Sequence, residues 1–135
     1  MSIAASWELQ KAVHAHLLAD IGLAVLVSGR IYDDVPQGTA FPYVTLGAAA
    51  VRNWSTASDT GAEHQLTFGV WSRYAGRKEL KNIMSEIATA LEDTNLTLTG
   101  FTLVNMRFLS AEMNRGNDGE TYEGTIRFRA VTEQV

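Results

Sequence analysis

The chain has 135 residues, a formal net charge of −4 and no cysteine, with 46% apolar and 19% charged residues. A chain of this length makes one domain and buries about two-thirds of its unfolded surface, while the missing cysteine excludes a disulfide framework, thiolate metal sites and a cysteine nucleophile. No apolar run approaches the roughly 20 residues of a membrane helix, and the scattered Lys and Arg residues argue against tight binding to a nucleic-acid backbone.

The opening MSIAASWELQKAVHAHL has no basic segment ahead of a continuous apolar core, so no secretory signal is expected. Leu9, Ala12, Val13, His16 and Leu17 recur at helical spacing and predict a helix from Ser6 to Leu18, with Ser2 or Ser6 as N-cap. Gly22 is expected to end that helix or open a turn, LAVLV at 23–27 to pack as a brief apolar segment, and Ser28-Gly29 to turn the chain.

Residues 30–47, RIYDDVPQGTAFPYVTLG, crowd acids, prolines, glycines and aromatics between two apolar runs. Pro36 and Pro42 fix φ and donate no ladder hydrogen bond, and Gly38 supplies freedom between them. Phe41, preceding a proline, is driven towards extended geometry. The chain is therefore expected to leave this loop as a strand, Phe41–Val51, with Pro42 at its first position or on an edge. Residues 52–62, RNWSTASDTGA, read as a polar connection, and His64 to Ser72 alternate as a second strand.

Leu80, Ile83, Met84, Ile87, Ala88 and Leu91 form one apolar stripe and predict a helix over 77–91, closed by Asp93-Thr94-Asn95. Leu103–Leu109 is a third strand, GNDGE at 116–120 an Asp-Gly hairpin turn, and Tyr122–Ala130 an alternating fourth strand. Helix, strand, strand, helix, strand, strand predicts a single α+β domain over residues 1–135. Its expected form is a four-stranded antiparallel sheet with two main helices packed on one face.

Chemistry is hard to place on this chain. Asp33 and Asp34 are neighbours in an extended segment and point to opposite sides, so they do not converge as an acid–base or metal pair. His14 and His16 are two apart on a helix, where metal ligands on one face need three or four, and His64 has no sequence partner. His16 reads as a partly buried helix histidine. No nucleophile elbow, phosphate-binding loop or dinucleotide fingerprint occurs. VWSRYAGRKEL at 70–80 mixes aromatics with Arg in a manner suited to single-stranded bases, yet reads more simply as a strand end followed by a basic helix start. No catalytic, cofactor or metal residue is assigned, and the expectation is a protein acting through its contacts.

Three segments, RIYDDVPQGTAFPYVTLG, LTFGVWSRYAGRKELKNIMSEIATAL and DGETYEGTIRFRAVTE, resemble in order and spacing the tail-completion, or tail-terminator, proteins of long-tailed phages and of phage-like gene transfer agents. That resemblance implies a virion structural protein, assembled in the bacterial cytoplasm, that forms a homo-oligomeric ring, hexameric in most members, on the head-proximal end of the tail tube. Such a ring stops tube polymerisation, docks the tail to the head-connector stopper and lets DNA pass through its lumen; no cofactor, active site or membrane belongs to this picture. Two other readings stand beside it: a head-side stopper or adaptor ring, and a small ligand-binding or enzymatic α+β domain whose site assembles only in three dimensions. A ring needs unlike patches that meet on neighbouring copies, and strand addition across subunits is one mode. The residues expected to meet a neighbour or partner are Asp33 and Asp34 in the first loop, Arg52 and Trp54 in the second, Asn114, Arg115 and Asp118 at the hairpin, and Arg127 and Arg129 on the last strand.

Overall fold

A computed structural model describes residues 3–135. Helix α1 runs Ile3–Ala19 and buries Ala5, Leu9, Val13 and Leu17, one residue every four along a single face. Ser6 therefore lies inside the helix and does not cap it, and Ser2 lies outside the described residues. The chain then bends by 80° into a second helix, α2, Ile21–Val27. Asp20 makes the break: its carboxylate accepts a hydrogen bond from the Leu23 amide at 2.9 Å, a side-chain N-cap. Gly22 stands inside α2, beside the end of the flexible Glu86 side chain of the third helix. Ser28, left-handed at φ 53°, ends α2.

The strands are β1 (Ile31–Tyr32), β2 (Tyr43–Asn53), β3 (Gly61–Ser72), β4 (Thr97–Leu98), β5 (Phe101–Arg115) and β6 (Tyr122–Gln134), with helix α3 (Lys78–Leu91) between β3 and β4. They form one sheet in the order β1-β2-β3-β6-β5-β4, in which β1 runs parallel to β2 and the remaining pairs are antiparallel. This corrects the expected four-stranded antiparallel sheet with two main helices: the sheet is six-stranded and mixed, and the helices are three. The reason is local. Two-residue strands carry no alternation to detect, and an unbroken apolar run of seven residues has no polar face to reveal helical period. The observed β5 also extends six residues past the expected end at Leu109, because a bulge between Phe108 and Ser110 inserts an extra residue and breaks the period of two.

The helices cover the face of the sheet that carries Leu66, Phe68 and Val70 from β3 and Ile126, Phe128 and Ala130 from β6. From α3, Leu80, Ile83, Met84, Ile87 and Leu91 pack there, each burial contributing on the order of 1.5–3 kcal/mol. Phe128 is met edge-on by Phe68 and Phe108 with ring centroids 6.1 and 5.8 Å away. Two histidines fix α1 in place: His14 Nε2 bonds the Ile31 carbonyl at 2.8 Å and His16 Nε2 the Ala90 carbonyl at 2.9 Å. His16 is half-buried, on the margin of the stripe that the sequence placed it on.

Candidate assembly surface

Among the described residues no layer covers the other face of the sheet, and that face is polar. Glu63, Gln65, Thr67 and Trp71 of β3 stand opposite Val131, Arg129, Arg127 and Glu123 of β6. The Glu63 carboxylate receives Arg129 from β6 on one oxygen and Arg52 from β2 on the other, the Arg52 Nε at 2.9 Å. Hydrogen bonds from Arg52, then from Arg129, hold the Glu63 carboxyl below its ordinary pKa. Arg127 pairs with Glu112 of β5 at 2.6 Å. The Arg129 guanidinium also lies 5.1 Å from the ring centre of Trp54, which is half exposed. Four expected contact residues, Arg52, Trp54, Arg127 and Arg129, thus share this face, and their three arginines pair with two acids, Glu63 and Glu112. Glu63 and Glu112 went unrecognised in the sequence. Strand register alone places them beside the arginines, since 66 residues separate Glu63 from Arg129.

The first loop closes on itself. Arg30 Nε donates to the Pro42 carbonyl at 2.8 Å, and Phe41, Tyr43 and Trp71 form an aromatic run with centroid steps of 5.1 and 6.1 Å. The Arg73 guanidinium sits 4.2 Å from the Phe41 ring centre. Burial raises the Tyr43 hydroxyl pKa, partly offset by Arg73. Asp33 and Asp34 are exposed on this loop, directly after β1, and no side chain among the described residues bonds their carboxylates.

The third group holds a turn. Asp118 accepts the Glu120 and Thr121 amides at 2.9 and 2.8 Å and the Thr121 hydroxyl at 2.6 Å. These bonds favour the ionised carboxyl and lower its pKa to about 2. Arg115 Nε donates to the Gly119 carbonyl at 3.0 Å, and Gly119 supplies the positive φ of 71° that the turn requires. Asn114 is exposed at the end of β5. The histidines do not converge: His14 and His16 bond the carbonyls above, and His64 shares a 2.8 Å hydrogen bond with Thr132. Among the described residues no three His, Asp or Glu side chains form a group able to hold a metal ion.

A sheet with one helix-covered face, one ion-paired face and long strands that its two-residue end strands leave mostly uncovered is a fold arranged around surfaces. The family model described as tail completion protein gp17 matches residues 11–133. The tail completion protein gp17 of Bacillus phage SPP1 is 30% identical over 125 residues, covering 93% of this chain and 92% of that protein. In the virion of a native gene transfer agent particle, one chain superposes with a TM-score of 0.91 at 34% identity, over 98% of this chain and 99% of that one. The structure of bacteriophage SPP1 gp17 gives a TM-score of 0.67 at 28% identity, over 94% and 90%. The chain belongs to the tail completion protein gp17 family and is a structural protein of the virion tail.

Proposed function

We propose that this chain forms a ring, hexameric in its working state, at the head-proximal end of the tail tube. The ring ends tube polymerisation and presents the surface to which the head-connector stopper docks, and DNA passes through its lumen. The observation that carries this reading is the likeness over nearly the full chain to a component of a gene transfer agent virion. The electrostatics support it. Arg52, Arg127 and Arg129 are each paired with a glutamate on the open face, and the net charge is −4. Such a surface neutralises few phosphates, and affinity for DNA rises with each phosphate neutralised. The chain acts here through contacts, with no reaction step.

The test is a producer strain that lacks this chain. Expected are filled heads without tails, together with free tubes of variable and excessive length. Joined particles with tails of normal length overturn the proposal. A finer test reverses charge at Asp33, Asp34, Arg115 and Asp118. If every variant still yields normal particles, those loops do not dock the partner.

A further inference from the structure

The sheet ends in two long strand margins without a partner strand. On one side β1 pairs only with Val44 and Thr45, so among the described residues no strand lies on that side of β2 from Leu46 to Asn53, eight residues. On the other side β4 pairs only with Phe101 and Thr102. The next part of β5 is plugged, since the Asp93 amide donates to the Met106 carbonyl at 3.0 Å and the Phe108 amide donates to Glu92 at 2.9 Å. From Leu109 to Arg115, seven residues, no strand or plug covers the β5 margin among the described residues. A bare edge invites another strand unless lysine, proline or an inward charge blunts it. The β2 margin opens with Gly47, Ala48, Ala49 and Ala50, which carry no lysine, proline or charge; a bulge between Leu46 and Ala49 breaks its register, and the regular edge runs on from Ala49 to Asn53.

We propose that the β2 edge of one copy of this chain pairs with the β5 edge of the next, continuing one sheet from subunit to subunit. The inference rests on the ring reading above and names the surfaces that build the ring. Three features of the two edges agree with it. Their lengths are similar, about 27 Å for eight residues and about 24 Å for seven at roughly 3.4 Å per residue. Their directions match as well: three antiparallel steps separate β2 from β5, so the two run oppositely, and a second copy continuing the sheet in the same orientation sets β5 antiparallel to β2. The edges also differ from each other, which is the requirement for head-to-tail closure.

The side chains sort in the same way. Directly paired residues share a face, so Ala49 and Val51, opposite Leu66 and His64, lie on the helix-covered side, as do Ala111 and Met113 opposite Ile126 and Gly124. Beside β5 that side opens into an apolar groove of about 180 Å³ floored by Met84 and Ile126. On the uncovered side Ala50 and Arg52 belong to β2, and Ser110, Glu112 and Asn114 to β5. Joining the edges sets apolar residues against apolar on the covered side, and on the open side brings Arg52 to the neighbouring copy's Ser110 and Glu112 with the small Ala50 beside it. The acids Asp33 and Asp34 follow the last β1–β2 pair, Tyr32–Thr45, at the end of the edge where an antiparallel neighbour brings its Arg115.

The native chain has no cysteine, so disulfide trapping reads this contact directly. Ala50→Cys is combined in turn with Ser110→Cys, Glu112→Cys and Asn114→Cys and oxidised at high protein concentration and on tail tubes. Within one copy these positions are three strand spacings apart, about 14 Å, too far for a disulfide, so any bridge joins two copies. Expected is a covalent ladder from dimer to closed ring in at least one pair. Light scattering on Ala49→Lys/Ala111→Lys, with folding checked by circular dichroism, is expected to show loss of the ring to monomer, because both positions are exposed in the single copy. A ring that forms while all three pairs stay unbridged and the lysine variant still assembles overturns the edge pairing and leaves the ring reading intact. A chain that stays monomeric at every concentration and on tubes overturns the ring reading, and the edge pairing with it.

Discussion

The Glu63 carboxylate on β3 grips Arg129 on β6 while also holding Arg52 on β2, so one acid bridges two arginines across three strands. Replacing it with the isosteric amide, Glu63→Gln, removes the charge and leaves both guanidiniums in place. The variant is expected to gain salt-sensitive retention on immobilised duplex DNA, eluting later in a salt gradient than the native chain, because unpaired arginines release phosphate counterions. Identical elution of the two proteins would show that this pairing does not govern contact with DNA.

Stability is expected to fall as pH drops below the ordinary histidine range. His64 is fully buried, and burial lowers its pKa from 6.5. Its Nδ1 has no hydrogen-bond partner among the described residues. As pH falls, the unfolded chain takes up this proton first, so the stabilisation is complete above pH 6.5 and is lost downward towards the depressed folded value. Urea midpoints compared at pH 7 and pH 5 should separate for the native chain and draw together in His64→Gln. Equal separation in both proteins sinks the assignment.

Phe128 is the hinge pin of the core, fully buried and touched by aromatic rings on both adjacent strands. Phe128→Ala is expected to lose about 3–5 kcal/mol through lost transfer energy and the cavity left behind. Denaturant unfolding measures it, and a loss under 1 kcal/mol would mean the site collapses to fill the space.

Gly61 opens β3 where its own backbone is crowded. A Cβ there would stand 2.9 Å from the Trp54 carbonyl oxygen and 3.2 Å from that of Thr132, both main-chain atoms with little room to yield. Gly61→Ala is expected to lose about 1–3 kcal/mol by overpacking. At Gly47 the nearest atom, the Thr67 carbonyl oxygen, is 3.1 Å away, so Gly47→Ala is the milder control. A thermal melt ranks the two, and equal melting temperatures contradict the crowding argument.

Asp20→Ala removes the carboxylate that caps α2 and should lose about 1 kcal/mol. Faster amide exchange at Leu23 than in the native protein is the local signature. Unchanged exchange there would show that packing alone holds the bend.

Helix α3 is legible in the sequence almost to its ends, since Leu80 to Leu91 carry an unmistakable stripe. The alternation of His64–Ser72 and Tyr122–Ala130 likewise exposed the two central strands, although each runs further in the fold. β1 and β4 were invisible because two residues have no period, and α2 was hidden in a wholly apolar run. The candidate contact residues were named by type and loop, but only the register gathered Arg52, Trp54, Arg127 and Arg129 on one face and supplied Glu63 and Glu112 as their partners.

The amino-acid order by itself determined the long elements, the loop that starts β2 and the family resemblance, because each of these is written in near-neighbour spacing and backbone preference. Tertiary structure alone decided that His14 and His16 serve as ties to β1 and α3, that the arginines of the open face meet Glu63 and Glu112, and that β1 and β4 are too short to cover the β2 and β5 margins. Those outcomes depend on which strands lie side by side, and pairing between residues tens of positions apart is settled by the packing of the whole core.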